Sequence, residues 1–150
     1  MIFLCKKVNY NWPVSKNCCP GLAKASIVGG NLATLAHIYQ SLNPDFFKDK
    51  ILFIEEIDEY LYQVDRMLRG MKLSGKLNAL KGVVVGDFTG VIDNEDPFGE
   101  TLETIVLNIF SNLNIPIAFG FRAGHQSVNW PIVLGKEYEL KASNGQWVLC

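Results

Sequence analysis

The sequence predicts an α/β domain in which a mostly parallel sheet is combined with a smaller antiparallel one. Three observations carry that expectation. Between residues 26 and 119, short apolar runs alternate with stripes of apolar residues at helical spacing, the order that produces parallel strands joined by right-handed crossovers. After residue 131 the pattern changes to short alternating segments, with Asn144-Gly145 as a hairpin turn. Of the 150 residues, 49% are hydrophobic and 19% charged, which is enough apolar surface for the core of one domain.

Residues 1–25 have no steady period and carry Pro13, Pro20 and Gly21, so they read as an arm or linker remnant, with the ordered domain over residues 26–150. SIVGG, from Ser26, is the first strand. GGN at 29–31 lacks both the GxGxxG pattern and the lysine and hydroxyl of a P-loop, so its glycines read as permitting close backbone approach at a strand-to-helix turn. Asn31 can N-cap a helix whose apolar residues are Leu32, Leu35, Ala36, Tyr39 and Leu42. His37, on that apolar helix, reads as a core or interface histidine.

KILFIEE is the next strand. The helix after it takes Ile57, Leu61, Val64, Leu68 and Met71 as its buried stripe, Asp58 as its N-cap and Gly75 as its stop. GVVVGDF (82–88) is a β-branched strand bounded by glycines. A third helix carries Leu102, Ile105, Val106, Ile109 and Leu113, and NIPIAFGF resumes extended structure. PIVLG, KEYELKA and QWVLC complete the chain as short strands.

Composition excludes several function classes. Lys plus Arg total 14 against 15 Asp plus Glu, with no basic stripe, so nucleic-acid binding has no electrostatic footprint. No segment approaches the roughly 20 apolar residues that span a bilayer. The N-terminal MIFLCKKVNYNWPV lacks the length and order of a signal peptide, so the expectation is a cytoplasmic protein with no membrane partner. Cys5, Cys18, Cys19 and Cys150 fit no CxxC ligand spacing and read as free thiols of a reducing compartment. No metal or cofactor is expected.

The carboxylates Glu55, Glu56, Asp58 and Glu59 crowd the end of the second strand. Side chains of adjacent strand residues point to opposite faces, so Glu55 and Glu56 cannot enter one site, which disfavours a glycosidase-type pair. Asp58 and Glu59 are explained by the positive end of the following helix. Either Glu55 or Glu56 is left at the carboxyl end of a parallel strand, where open α/β sheets place catalytic groups. His125 lies in FGFRAGH, where glycines on both sides of Arg122 suggest a tight loop exposing the imidazole, a group suited to general-base work. A metal-dependent hydrolase built on Glu55, Glu56, Asp87 and His125 has the right residue types but no supporting ligand spacing.

Four separated segments then agree at once: VGGNLATL (28–35), ILFIEEIDEYLYQVDRML (51–68), LSGKLNALKGVVVGDFTG (73–90) and IPIAFGFRAGHQSVNWPIVLG (115–135). In content and order they resemble the C-terminal domain of the LD-carboxypeptidases, the murein tetrapeptide carboxypeptidases and their microcin-immunity relatives. The resemblance implies a swivelling β/β/α domain. It also implies a serine hydrolase with a Ser-Glu-His triad that removes D-alanine from the L,D-peptide bond of a muropeptide substrate, without a cofactor, during peptidoglycan recycling in the cytoplasm. In the segment resembling ILFIEE the first glutamate is the triad acid, which falls on Glu55, and the GH motif supplies the base, His125.

The family's nucleophile sits in a preceding N-terminal domain, in a GxSD-like turn after a strand. Nothing in residues 1–150 reproduces it: Ser15 lies in the irregular arm and Ser26 precedes a strand. The expectation is half an enzyme, inactive alone, whose partner is that N-terminal nucleophile domain. Relatives act as dimers, and a homodimer here is left open. The alternative is a non-catalytic muropeptide-binding or interaction module.

Overall fold

Seven strands form one sheet in the computed structural model, which describes residues 8–16 and 18–150. The elements run β1 (Tyr10–Pro13), β2 (Leu22–Asn31), α1 (Leu32–Ile38), β3 (Ile51–Ile57), α2 (Leu61–Leu73), β4 (Gly82–Thr89), α3 (Leu102–Phe110), β5 (Ile117–Phe119), β6 (Glu137–Ser143) and β7 (Gln146–Leu149). Their order across the sheet is β1-β7-β6-β2-β3-β4-β5. The chain is therefore α/β, as its alternating pattern predicts.

Strand β2 unites the two parts of the sheet. Its first half, Leu22 to Ser26, pairs antiparallel with β6, and its second half, Ile27 to Asn31, pairs parallel with β3. Strands β3, β4 and β5 continue the parallel part in sequence order, with Ile51 opposite Gly82 and Ile54 opposite Val85. The hairpin β6–β7 turns through Asn144 and Gly145, both at positive φ (50° and 74°), the conformation an Asn-Gly turn favours.

Alternation along the central strands divides the interior in two. Leu52, Ile54, Val83 and Val85 face the helices, where they meet Leu35, Leu68, Ile105 and Phe110. Ile51, Phe53 and Val84 face the other side, against Trp12, Phe121, Tyr138 and Trp147. Both faces of the parallel part are thus covered, which explains why its strands read as continuous apolar runs. Among the described residues no helix is long and apolar enough to cross a membrane.

Four expectations need correction. Residues 10–13 are not an irregular arm: β1 pairs antiparallel with β7, buries Tyr10 and Trp12, and the Trp12 indole donates to the Phe119 carbonyl at 2.8 Å. β2 likewise begins at Leu22, before the expected start at Ser26. The pairing partner of β1 is at the other end of the chain, and no local period reports it. Residues 1–7, and Cys5 with them, lie outside the described residues.

Second, Ile57 ends β3 instead of starting the helix, and Asp58, at φ 57°, is not the N-cap. Tyr60 occupies that position, without a side-chain cap. The helix start is fixed by backbone bonds to the loop after β4, with Leu61 N–H donating to the Ile92 carbonyl at 3.0 Å and Ile92 N–H to the Glu59 carbonyl at 3.1 Å.

Third, PIVLG is not a strand: Gly135 N–H reaches the Ile27 carbonyl at 2.7 Å and Val133 N–H the Tyr138 hydroxyl at 3.2 Å, so its groups are satisfied outside any ladder. Fourth, His37 is not a core histidine: it is exposed on the surface of the domain, its Nδ1 2.6 Å from the Ala33 carbonyl one turn earlier. Helices α1 and α3 end at Ile38 and Phe110, each continued by a short 3-10 turn that stops before Leu42 in the first case and takes in Leu113 in the second, and two end signals hold. Asn31 caps α1 by accepting from Thr34 N–H at 3.0 Å, and Gly75, at φ 78°, follows the last turn of α2.

Candidate active site

The site forms where β3 and β4 leave register. Ile54 pairs with Val85, but Glu56 pairs with Phe88, so β4 places one extra residue, within Gly86-Asp87, opposite Glu55. A bulge of this kind bends the strand and re-aims its side chains. Here it makes room for the loop after β5. A Cβ at Gly86 would lie 2.4 Å from the Ala123 carbonyl oxygen, 2.8 Å from Phe53 and 3.2 Å from the Glu55 Cβ. Only glycine lets the loop cross that close.

The loop itself is pinned at several points. Phe121 is fully buried among Tyr10, Trp12, Phe53 and Trp130. Its N–H donates to the Val85 carbonyl at 3.1 Å, and Asp87 N–H donates to the Ala123 carbonyl at 2.9 Å. Trp130 N–H closes the loop on the Arg122 carbonyl at 2.6 Å. The Asn129 side chain spans it, accepting from Gly124 N–H at 3.3 Å and donating to the Gly124 carbonyl at 2.9 Å. Gln126 donates to the Thr89 hydroxyl at 2.9 Å.

His125 is thereby held over the end of β3, and its Nδ1 lies 2.8 Å from Glu55 Oε2. The glutamate side chain is 9% exposed and the histidine 46%, so the acid is enclosed while the imidazole opens to solvent. When the carboxylate accepts from Nδ1–H, Nε2 keeps its lone pair, the state in which an imidazole can act as a general base.

Glu56 points to the opposite face. Its carboxylate accepts from the Asn31 side chain at 2.6 Å, from Ala33 N–H at 2.6 Å and from its neighbour Ile57 N–H at 2.9 Å. It therefore anchors the first turn of α1, where negative charge is favourable. That placement separates Glu55 from Glu56 and removes the geometry of a shared metal set. Among the described residues no three His, Cys, Asp or Glu side chains are grouped to hold a metal ion, and Cys18, Cys19 and Cys150 are free. The GGN glycines serve approach, since a Cβ at Gly29 would lie 1.9 Å from the Phe53 carbonyl oxygen.

Asp87 stands beside the pair. Its Oδ2 is buried without a hydrogen-bond partner among the described residues, and burial raises its pKa, with the Arg122 guanidinium acting in the opposite direction. Gly86 and Asn129 escaped the sequence reading. A glycine inside a β-branched strand is the signal for such a bulge, whereas nothing local marks Asn129. Cavities of about 300 and 380 Å³ lie elsewhere, one between α1 and α2 beside His37 and Arg66, the other beside Cys18 and Cys19.

Across 116 residues the chain is 34% identical to "Probable murein peptide carboxypeptidase" of Bacillus subtilis (strain 168), an alignment covering 77% of this chain and 36% of that protein. A crystal structure of muramoyltetrapeptide carboxypeptidase from Oxalobacter formigenes superposes with a TM-score of 0.81 at 28% identity, covering 95% of this chain and 49% of that one. The microcin C7 self immunity protein MccF shares the fold, with a TM-score of 0.75 at 19% identity over 93% of this chain and 40% of that one. The chain thus spans less than half the length of these relatives. Residues 24–140, which include both Glu55 and His125, match the sequence model of the LD-carboxypeptidase C-terminal domain, and the chain belongs to that family.

Proposed function

We propose that this domain supplies the acid and base of a Ser-Glu-His triad in a serine LD-carboxypeptidase acting on murein peptides. The observation that carries the reading is the 2.8 Å contact between Glu55 Oε2 and His125 Nδ1 at the carboxyl end of a parallel strand. Glu55 fixes the tautomer and orientation of the imidazole and stabilises the imidazolium. His125 Nε2 takes the proton of a serine hydroxyl as that oxygen attacks the carbonyl of the L,D-bond. The same proton then passes to the departing amine of the terminal D-amino acid, D-alanine in a murein tetrapeptide, and water releases the acyl group by the reverse relay.

The serine, in this reading, comes from an N-terminal nucleophile domain of the same enzyme, which would also supply the oxyanion donors. The 150-residue chain alone is accordingly inactive, and a cytoplasmic setting fits the recycling of murein fragments. Self-association through the surface that domain would cover is the corresponding proposal for its oligomeric state.

The test supplies a family N-terminal domain, in trans or by fusion, and measures D-alanine release from an L,D-tetrapeptide. Release is expected only with both parts present. His125→Ala should abolish it, and Glu55→Gln should lower kcat by on the order of 10⁴. Serine-inhibitor-sensitive release by the chain alone, or full activity in His125→Ala, would overturn the assignment.

A further inference from the structure

Arg122 makes no ion pair or side-chain hydrogen bond recorded among the described residues, although it is a cation three positions from His125 on a loop whose backbone is fixed at Phe121, Arg122, Ala123 and Gly124. Its side chain is exposed, unlike the buried Phe121 and Ala123 on either side. Two residues further on, the same loop lies against the Glu55–His125 pair. A Cβ at Gly124 would sit 3.2 Å from Glu55 Oε2 and 3.0 Å from Asp87 Cβ, so the glutamate carboxylate and the Asp87 side chain flank the same residue. Arg122 in turn acts electrostatically on Asp87.

We infer that Arg122 is the residue that binds the free carboxylate of the substrate's terminal amino acid, and so determines that the domain works on chain ends. This deepens the carboxypeptidase reading above and rests on it. A carboxypeptidase must recognise a carboxylate one residue beyond the bond it cleaves, and that bond must lie against His125. The planar guanidinium fork suits this task because it engages both carboxylate oxygens in parallel, which an ammonium does not. Three lysines of the antiparallel part are engaged elsewhere: Lys24 with Glu137, Lys141 with Glu139, and Lys136 over the Tyr138 ring. Asp87 is the obvious competitor for Arg122. No ion pair joins the two among the described residues, where Asp87 Oδ2 has no hydrogen-bond partner, so the guanidinium is available to an incoming anion.

The experiment uses the 150-residue chain and two probes, N-acetyl-L-lysyl-D-alanine and its C-terminal amide. Binding is followed by NMR through the backbone amides of residues 120–130 and the Arg122 Nε–H signal. The acid should perturb these signals at millimolar concentration and bind on the order of tenfold or more tightly than the amide. Arg122→Gln should remove that preference, and Arg122→Lys should restore part of it, because charge returns without the fork.

Equal binding of acid and amide, an unchanged preference in Arg122→Gln, or no perturbation of this loop by the acid would each overturn the inference. Failure of the triad reading looks different: cleavage by the completed enzyme would survive His125→Ala, whatever the acid preference at Arg122.

Discussion

Gly86→Ala is the sharpest test of how the site is built, because two effects of opposite sign compete at that position. Gly86 lies in β4 with φ outside the left-handed region, so alanine is conformationally permitted. Reduced freedom of the unfolded chain would then stabilise the protein by about 0.4–1 kcal/mol. Against this, the new methyl would lie 2.4 Å from the Ala123 carbonyl oxygen and 2.8 Å from a Phe53 ring carbon.

The first obstacle is backbone, and it belongs to the loop that carries His125. Moving it stretches the 2.9 Å bond from Asp87 N–H to the Ala123 carbonyl, worth about 0.5–1.5 kcal/mol, in addition to an overpacking cost of about 1–3 kcal/mol. The steric effect wins, and the net expectation is destabilisation by about 1–3 kcal/mol. Urea unfolding measures this directly, and a thermal scan should show a drop of roughly 2–4 °C for each kcal/mol. The loop shift should also loosen the Glu55–His125 contact, visible as a change in the His125 ring resonances. A Gly86→Ala variant as stable as the parent, with those resonances unmoved, would refute the claim that the bulge exists to admit the loop.

Three other outcomes follow from the same geometry. Glu56→Ala leaves the Asn31 amide and the Ala33 N–H without their buried acceptor and should cost about 2–4 kcal/mol in urea unfolding, while Glu55→Gln, whose one side-chain hydrogen-bond partner among the described residues is His125, should cost less. Asp87 has a folded pKa above its unfolded value, so the folded state is penalised as pH rises through the unfolded value of about 3.9 towards the folded one. Asp87→Asn should therefore raise stability more at pH 7 than at pH 3, and an equal or reversed effect at the two pH values contradicts this. Trp12→Ala should destabilise by about 3–5 kcal/mol, since the indole is buried and hydrogen-bonded to Phe119; a change within about 0.5 kcal/mol would return residues 10–13 to the status of an arm.

Local pattern in the sequence determined most of what lies between Ser26 and Phe119. Helices α1, α2 and α3 and strands β2, β3 and β4 each carry a period of 3.6 or a β-branched apolar run, and a period is a property of neighbours in the chain. The Asn144-Gly145 hairpin is legible for the same reason, since two residues set its backbone. Glu55 and His125 could be singled out as residue types at the ends of elements, and the family resemblance selected them as acid and base.

Strand alternation by itself left open which glutamate meets the histidine, and the tertiary structure puts Glu55 there. Alternation in a strand says that Glu55 and Glu56 face opposite ways, but not which face carries α1 and which the 120–130 loop. β1 pairs with a strand more than a hundred residues away, PIVLG loses its strand to contacts with Ile27 and Tyr138, and Asp58 loses its cap to a loop from the neighbouring strand. The bulge at Gly86-Asp87 exists in the register between two strands, so neither strand alone records it. Each of these outcomes depends on where distant backbone hydrogen-bonding groups find partners, and that is settled when the chain packs rather than by the order of nearby residues.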